Sequence, residues 1–292
     1  ITESNFAELL DPATYTIGLA ELVDNALVAN GQSITMTKSE LSENPIHLSS
    51  IIDVNGQSVG YLMYNNFRSN FESELNQVFA NFKNNAISDL VLDLRYNSGG
   101  SVATANDLAS MITGQFEGQV FGIQVFNENF EDVIINFDNQ TADGEQVNSL
   151  NLDRVFVLTT GSTASASELI INALNPYIDV IHIGTETTGK FQGSTTLYDS
   201  EDFTRQNVNI NHFYALQPLI LTIANAEGFT GFEDGLPPDI VFEEDFFNYG
   251  VLGDPSEPLL ARALQEIGSG LNGGDQNQDT DYKSKTTLRL SL

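Results

Sequence analysis

An apolar segment runs directly into a polar, glycine-rich turn at LVLDLRYNSGG, residues Leu90–Gly100. Its first five residues are almost all apolar, which predicts a strand that is buried on both faces. Apolar residues at helical spacing follow across Val102–Ile112. The turn therefore lies between the carboxyl end of a strand and the start of a helix, where open α/β sheets place their ligand sites.

The same alternation of strand and helix patterns continues on both sides of this segment. It predicts an α/β domain with a largely parallel sheet and flanking helices. The other predicted elements are a strand at Val59–Tyr64, a helix carrying Phe71, Leu75, Val78, Phe79 and Phe82, strands at Val120–Phe126, Val155–Leu158, Val180–Ile183 and Leu219–Ile223, and helices at Ser165–Leu174 and Pro258–Ile267.

The two ends of the chain have a different composition from the middle. Residues 1–48 are polar and interrupted, and they end near Pro45. They contain a short helical stretch, Asn5–Leu10, and two strand-like runs, Thr14–Gly18 and Ser33–Thr37. From Gly268 onward the chain has the composition of a polar tail. The sequence therefore predicts a segment at 1–48, a core at 49–267 and a tail at 268–292.

Charge and composition exclude several classes of function. The chain has 40 acidic and 11 basic residues, a formal net charge of −29. This disfavours nucleic acid and anionic membranes as partners, because phosphate binding needs clustered Lys and Arg. Cysteine is absent, which excludes disulfides and thiolate chemistry. No apolar run is long enough to predict a membrane span.

The three histidines do not favour a metal site or a histidine-based triad. His47, His182 and His212 lack the paired spacing of metal ligands. His182 lies within an apolar strand, which favours a hydrogen-bonded structural histidine. We therefore predict no metal site.

A second polar turn carries a candidate nucleophile. In GSTASASEL, residues Gly161–Leu169, a predicted helix begins at about Ser165. A hydroxyl group at a helix N-terminus lies beside unpaired N–H groups and the positive end of the helix dipole, which favour a developing anion. Serine is also a common N-cap residue, so the local sequence leaves both interpretations open.

Lys190 is a candidate general base. It follows the strand Val180–Ile183 and the loop GTETTG, and only two other lysines precede the tail. A lysine that acts as a base must be neutral, which burial or nearby positive charge can achieve. No arginine flanks Lys190, so the sequence predicts burial. The alternative is an ordinary solvent-exposed loop lysine.

These three segments together resemble the C-terminal processing peptidases, also called tail-specific proteases. DLRYNSGG, residues Asp93–Gly100, is similar to their Asp-Leu-Arg-x-Asn-x-Gly-Gly signature. TASASE, residues Thr163–Glu168, resembles their nucleophile motif, and GTETTGK, residues Gly184–Lys190, resembles the segment that bears their general-base lysine. Weaker similarities at Val59–Phe67 and Gly235–Asp239 extend the resemblance over roughly residues 50 to 265.

The resemblance implies a crotonase-like α/β core and a serine endopeptidase that cleaves polypeptides near their C-termini without a cofactor. Ser165 would attack the peptide carbonyl and Lys190 would take its proton. Backbone N–H groups of Gly99 or Gly100, and of Ala166, would form the oxyanion hole. Glu168 belongs to the motif and is expected to cap or tune the helix.

Two positions depart from the family pattern. Arg154 stands where some members carry an Asp before the nucleophile, and Ser194 stands where a Gln often assists the lysine. Gln192 lies nearby and is the candidate replacement. These departures keep open a second function, a catalytically silent ligand- or peptide-binding module on the same fold.

The resemblance also bears on the first segment and on location. Family members commonly carry a PDZ module ahead of the core, which captures a C-terminal carboxylate by strand addition. Residues 1–48 are therefore expected to be the C-terminal remnant of a PDZ-like module and its linker. The expected location is the bacterial cell envelope, either the periplasm or the cell surface.

Overall fold

The structure is a computed structural model, which describes residues 5–24, 26–39, 41–212, 214–245 and 247–269. The chain divides into two compact units, one ending at Asn44 and the other beginning at Pro45. This division lies close to the boundary that the sequence predicts at residue 48. The predicted tail lies almost wholly outside the described residues.

The first unit consists of a short helix, α1 (Phe6–Leu10), and a hairpin of two long strands, β1 (Thr14–Val23) and β2 (Ala26–Thr37). The strands are antiparallel, and the hydroxyl groups of Thr16 and Thr35 form a cross-strand hydrogen bond of 2.8 Å. The two predicted strand-like runs are the outer parts of this hairpin. Its assignment as a PDZ remnant stays a prediction.

The second unit contains the remaining elements. In chain order they are β3 (Ile46–Val54), β4 (Gln57–Tyr64), α2 (Glu72–Asn84), β5 (Asp89–Asp93), α3 (Val102–Ile112), β6 (Val120–Phe126), β7 (Val133–Asn136), β8 (Arg154–Thr159), α4 (Ala166–Leu174), β9 (Asp179–Gly184), β10 (Gln192–Ser194), β11 (Leu197–Tyr198), β12 (Ala215–Leu216), β13 (Leu219–Ala224), β14 (Ile240–Val241) and α5 (Pro258–Ser269).

A six-stranded sheet forms the centre of the second unit, in the order β14-β9-β8-β5-β4-β3. Strands β4, β5, β8, β9 and β14 are parallel to one another, and only β3 runs antiparallel, against β4. Every residue of β5 is buried, as its apolar sequence predicts. The predicted α/β domain with a largely parallel sheet is confirmed.

Helices cover both faces of this sheet. Leu62, Leu92 and Val157 pack on one face with apolar residues of α2, α3 and α4. Val91 and Phe156 point to the other face and pack with α5. Neighbouring residues of each strand thus supply two separate apolar clusters, which is the expected period of two.

Two predicted strands belong to a different sheet. The alternation along the chain placed β6 and β13 with the parallel strands, but they pair antiparallel in a separate sheet of order β10-β13-β6-β7. Their residues are partly exposed, unlike those of β5, which suits a sheet with one solvated face. In the described part of the chain, no helix is both long and apolar enough to cross a membrane.

Candidate active site

The two polar turns that follow β5 and β8 pack against each other. The backbone carbonyl of Asn97 accepts a hydrogen bond from the N–H of Ala164 at 3.0 Å and another from the Ser167 hydroxyl at 2.9 Å. The Thr163 hydroxyl donates to the carbonyl of Leu94 at 2.8 Å. Because β5 and β8 are adjacent parallel strands, both turns lie at the same edge of the sheet, where such sheets place their ligand sites.

Ser165 lies at the N-terminus of α4 in a strained backbone conformation. It is half-buried, with φ of 59° and ψ of −115°. Few residues other than glycine adopt a positive φ, and such strain clusters at functional sites. Gly99 lies against it, because a Cβ on Gly99 would lie only 2.7 Å from the Ser165 Cβ.

A single buried carboxylate connects the backbones of Ser165 and Lys190. Glu168 Oε2 accepts hydrogen bonds from the N–H of Ser165 at 2.7 Å and from the N–H of Lys190 at 2.9 Å. Its Oε1 accepts from the Thr187 hydroxyl and from the N–H of Gly189, both at 2.6 Å. The side chain is fully buried, so these bonds form away from solvent. Glu168 therefore does more than cap α4.

The side chain of Lys190 is exposed, so the predicted burial is wrong. Its neighbours Gly189 and Phe191 are only partly covered, and Lys190 and Phe191 line a cavity. Within the described residues, no hydrogen bond joins Lys190 Nζ to Ser165 Oγ. The backbone of Lys190 is fixed by Glu168, while its side chain faces solvent.

Ser165 and Lys190 line the same cavity, whose volume is about 300 Å³. The cavity also brings together Gly100, Ala166 and Gln192, which the sequence predicts as site residues. Further lining residues supply apolar walls and polar groups: Ser98, Val102, Leu169, Asn172, Phe191, Gly193, Ser194, Gln217, Ile223 and Phe232.

Gly99 differs from the other candidates for the oxyanion hole. Its N–H already donates to Asn97 Oδ1 at 2.9 Å, and the residue does not line the cavity. The hydrogen bond engages the donor that an oxyanion would need. Gly100 and Ala166 remain the better placed pair, and the oxyanion hole itself stays a prediction.

Sequence reasoning did not single out two polar residues, Asn97 in the first turn and Gln217 on the cavity wall. Asn97 closes its own turn, because its Nδ2 donates to the Tyr64 carbonyl at 2.8 Å while its Oδ1 accepts from Gly99. Gln217 lines the cavity and donates from Nε2 to Ser194 Oγ at 3.2 Å. Asn97 could have been identified from its fixed place in the DLRYNSGG motif. No local signal marks Gln217, since it lies 23 positions after Ser194 in the chain.

Arg95 is the centre of a buried ion-pair cluster behind the site. It is fully buried and lies 2.8 Å from Asp93, 2.9 Å from Glu257 and 2.9 Å from Glu244. Burial alone would lower the pKa of Arg95, but hydrogen bonds from its guanidinium group to Glu257 and its interaction with Asp93 raise that pKa overall. The guanidinium group therefore stays charged and joins the carboxyl end of β5 to the start of α5.

Arg154 and His182 have structural partners. Arg154 forms an ion pair of 2.5 Å with Asp89 at the start of the neighbouring strand. His182 is buried, and burial lowers its pKa to about 4. Its Nε2 forms a hydrogen bond with the Thr159 hydroxyl. Neither residue lines the cavity.

Comparison with known proteins shows similarity to one family of peptidases. The model of peptidase family S41 matches residues 58–240. The carboxyl-terminal-processing protease of Picosynechococcus sp. (strain ATCC 27264) is 26% identical over 233 residues, which are 80% of this chain and 50% of that protein. The protein of the same name from Synechocystis sp. (strain PCC 6803) is 24% identical and covers 82% of this chain. This chain spans about half the length of these curated relatives.

Solved structures share the fold. A protein of Bacteroides fragilis NCTC 9343 described as an S41 protease is 31% identical, with a TM-score of 0.76 over 93% of this chain and 71% of its own. The photosystem II D1 C-terminal processing protease is 19% identical, with a TM-score of 0.57 over 82% of this chain and 57% of its own. With the family match over residues 58–240, these similarities identify the chain as a member of peptidase family S41.

Proposed function

We propose that this chain carries the core of a serine endopeptidase, with Ser165 as the nucleophile and Lys190 as the general base. One observation carries the proposal: both residues line one cavity, and the Glu168 carboxylate holds both of their backbone N–H groups. The strained backbone at Ser165 supports it, because such strain is stored where a side chain must be presented at a fixed angle.

In the proposed reaction, Ser165 Oγ attacks the carbonyl carbon of the scissile bond while its proton passes to neutral Lys190 Nζ. The N–H groups of Gly100 and Ala166 hold the oxyanion that forms. Collapse of the tetrahedral intermediate breaks the C–N bond, and the lysine ammonium group protonates the leaving amine. A water molecule then hydrolyses the acyl ester on Ser165, with the lysine again acting as base.

The exposed Lys190 side chain must turn inward for this reaction. A general base works within about 3 Å of the proton that it removes. Glu168 fixes the backbone of Lys190, so we propose that rotation of the side chain, rather than movement of the loop, brings Nζ to Ser165 Oγ. We propose that bound substrate covers the cavity mouth and thereby favours the inward rotamer.

The edge strand β10 offers a place for the substrate backbone. It is the outermost strand in the order β10-β13-β6-β7, and its residues Gln192, Gly193 and Ser194 all line the cavity. An extended polypeptide can pair with such an edge by strand addition. Because the curated relatives are named carboxyl-terminal-processing proteases, we propose cleavage near the C-terminus of the substrate. Matched substrates with free and amidated C-termini test this preference, and equal cleavage of both would contradict it.

A second candidate function is a binding module that does not cleave. The observation that favours it is the exposed Lys190 side chain, which makes no hydrogen bond with Ser165 in the described residues. Ser194 and Arg154, in place of the family's Gln and Asp, also suit it. Such a module would bind a polypeptide in the cavity and release it intact.

Hydrolysis of an unstructured protein substrate distinguishes the two functions. We expect the wild-type chain to cleave it, and Ser165→Ala and Lys190→Ala each to abolish cleavage while circular dichroism shows an intact fold. Ser162→Ala is the matched control, since Ser162 is an exposed serine in the same turn. Cleavage by both Ser165→Ala and Lys190→Ala would contradict the peptidase proposal. Binding without cleavage by the wild-type chain would favour the second function.

The expected location in the bacterial cell envelope is also part of the proposal. A chain without cysteine suits an oxidising compartment, since it has no thiol to be oxidised. Cell fractionation followed by immunodetection tests it, and a wholly cytosolic pool would contradict it. The crotonase-like description of the core stays a prediction alongside it.

A further inference from the structure

The cavity wall continues into one exposed end of the antiparallel sheet. Ser194 and Gln217 line the cavity, and Leu219, two residues after Gln217, pairs with Ser194. In the next row across the sheet, Gly193 pairs with Leu221, and Leu221 pairs with Phe126 of β6. Strands lie about 4.8 Å apart, so the Phe126 backbone lies about 10 Å from the cavity wall.

Large apolar side chains are exposed at this end. Leu216 is 71% exposed, Leu219 61%, Ile220 37% and Phe130 68%. Phe130 lies on the β6–β7 turn, and its ring packs on Phe126 with centroids 6.0 Å apart. We call Phe130, Leu216, Leu219 and Ile220 the outer patch. Single exposed apolar residues are ordinary, but a group beside a functional cavity indicates an interaction surface.

Two segments that adjoin members of the outer patch along the chain carry carboxylates. Glu128, Glu131 and Asp132 lie on the β6–β7 turn and are exposed. The connection between β11 and β12 carries the exposed residues Asp199, Glu201 and Asp202.

Two of these carboxylates are held in the charged form. Hydrogen bonds from Asn209 and His212 lower the pKa of Asp199, and hydrogen bonds from the backbone and side chain of Thr204 lower the pKa of Asp202. Arg205 in the same connection is a single opposing charge. The surface around the outer patch is therefore apolar and negatively charged.

We propose that the outer patch docks the substrate polypeptide beside the cavity and favours extended segments that are rich in apolar and basic residues. The proposal rests on the endopeptidase function proposed above. Charge complementarity identifies the occupant, because a basic and apolar segment matches both features of the surface. A second copy of this chain fits poorly, since each copy carries a formal net charge of −29.

Binding to an inactive variant tests the docking without requiring turnover. The probes are labelled peptides with one common cleavable core and a flanking segment of leucine and lysine, leucine and glutamate, or serine and glycine. Each flank is placed on either side of the core. We expect Ser165→Ala protein to bind the leucine–lysine peptides about tenfold more tightly than the leucine–glutamate peptides. This difference should shrink at 0.5 M salt, because salt screens exposed charges.

Two sets of substitutions locate the preference. Glu128→Lys with Glu131→Lys should remove or reverse the preference for basic flanks. Phe130→Ser with Leu219→Ser should weaken the binding of all leucine-containing peptides. In otherwise wild-type protein, the same changes should raise KM for the long peptides and leave kcat for the bare core peptide unchanged. Asp132 is left intact, because its carboxylate accepts the Phe126 N–H at 3.0 Å and closes the turn.

The outcomes separate this proposal from the proposed function. The docking surface is overturned if peptides with all flanks bind equally, or if the substitutions leave binding unchanged. This holds even if wild-type protein cleaves the core peptide and Ser165→Ala is inactive. Flank-dependent binding without cleavage keeps the docking surface and contradicts the peptidase function. A dimer in sedimentation that dissociates on Phe130→Ser with Leu219→Ser would assign the patch to self-association and overturn the proposal.

Discussion

At the scale of single residues, Glu168 has the most consequential position in the site. Its two carboxylate oxygens accept four hydrogen bonds, and two of the four donors are the backbone N–H groups of Ser165 and Lys190. One buried side chain therefore sets the separation of the proposed nucleophile and base. Its place in the TASASE motif could be predicted from the sequence, but this geometry could not, because Lys190 lies far along the chain.

Glu168→Gln should reduce peptide hydrolysis by roughly 100-fold while the chain still folds. The substitution replaces one acceptor oxygen with an NH2 group that faces N–H donors, so the turn of Ser165 or the loop of Lys190 must shift. A displacement of about 1 Å in a catalytic group can reduce the rate roughly 100-fold. The measurement is kcat/KM on an unstructured protein substrate. Glu186→Gln, an exposed acid in the same loop, is the control and should leave the rate unchanged. Wild-type activity in Glu168→Gln would show that the Glu168 carboxylate does not position Ser165 and Lys190.

At the scale of elements, the contact between the two turns builds the site. Gly99 has φ of +102° and lies so close to Ser165 that any Cβ would overlap the nucleophile loop. Asn97 ties the same two turns together through its carbonyl group. Gly99 and Asn97 of the first motif thus allow close packing against the second motif, while Gly100 lies against the backbone of Phe67.

Gly99→Ala should abolish activity by displacing Ser165. Its Cβ would lie 2.7 Å from the Ser165 Cβ and 2.8 Å from the Ala164 carbonyl oxygen. Gly118→Ala is the matched control, since Gly118 also has a positive φ, +78°, but its Cβ would meet nothing within 4 Å. Both variants should lose some stability to backbone strain, while only Gly99→Ala loses hydrolysis. Equal activities in the two variants would contradict the packing argument.

The elements also show what could be predicted from the sequence. The bounds of α3 and β6 were predicted as the structure has them, and β5 was recognisable from its continuous apolar run. Strand β3 was missed, because it follows Pro45 and alternates polar with apolar residues at an edge. The membership of β6 and β13 in a separate sheet was also missed, since periodicity identifies strands and not their partners.

The exposure of Lys190 could not be deduced from its neighbours in sequence. The backbone of the loop packs closely at Lys190, since Glu168 accepts the Lys190 N–H and a Cβ on Gly189 would lie 2.8 Å from the Gly235 nitrogen. Backbone burial and side-chain burial thus differ at this position. The sequence predicts a buried Lys190 side chain, and this prediction is wrong because the neighbours of a residue in sequence do not show which side chains pack over it in the fold.

At the scale of the whole molecule, the Arg95 cluster ties the site to the last helix. Glu257 accepts bidentate hydrogen bonds from Arg95 and also accepts from the N–H groups of Leu259 and Leu260 at the start of α5. The Tyr61 hydroxyl donates to Asp93 at 2.8 Å. The sheet, the candidate site and α5 therefore depend on one buried cation.

Arg95→Met should lower the free energy of unfolding by about 3 to 5 kcal/mol. Removing the cation leaves Asp93, Glu244 and Glu257 without their common counter-charge, and an unpaired buried charge is costly. Chemical denaturation measures the change. Arg205→Met, at an exposed position, is the control and should change stability by less than about 0.5 kcal/mol. A loss for Arg95→Met as small as that of the control would contradict the cluster's structural role.

Asp107 on α3 should make the stability of the chain depend on pH. Burial, with the nearby charge of Glu72 among further causes, raises the pKa of Asp107 to about 7. An unfolded aspartate ionises near pH 4. Between about pH 4 and pH 7 the folded state therefore holds a proton that the unfolded state has released, so stability falls as pH rises through this range.

Asp107→Asn should weaken this dependence and stabilise the fold above pH 7 by on the order of 1 to 3 kcal/mol. The amide retains an oxygen that can accept the Ala142 N–H, which Asp107 accepts at 3.3 Å. The measurement is the free energy of unfolding from pH 4 to pH 9 for both proteins. Parallel curves would show that Asp107 does not carry the effect.

The proposed reaction requires Ser165 to be an activated nucleophile. Its most direct test is reaction of the purified chain with a fluorophosphonate probe at pH 9, where a lysine base is more often neutral, followed by mass spectrometry to locate the label. We predict labelling of Ser165 in the wild-type chain, none in Ser165→Ala, and little in Lys190→Ala. Absence of label on the folded wild-type chain, or label that persists in Ser165→Ala, would contradict the account.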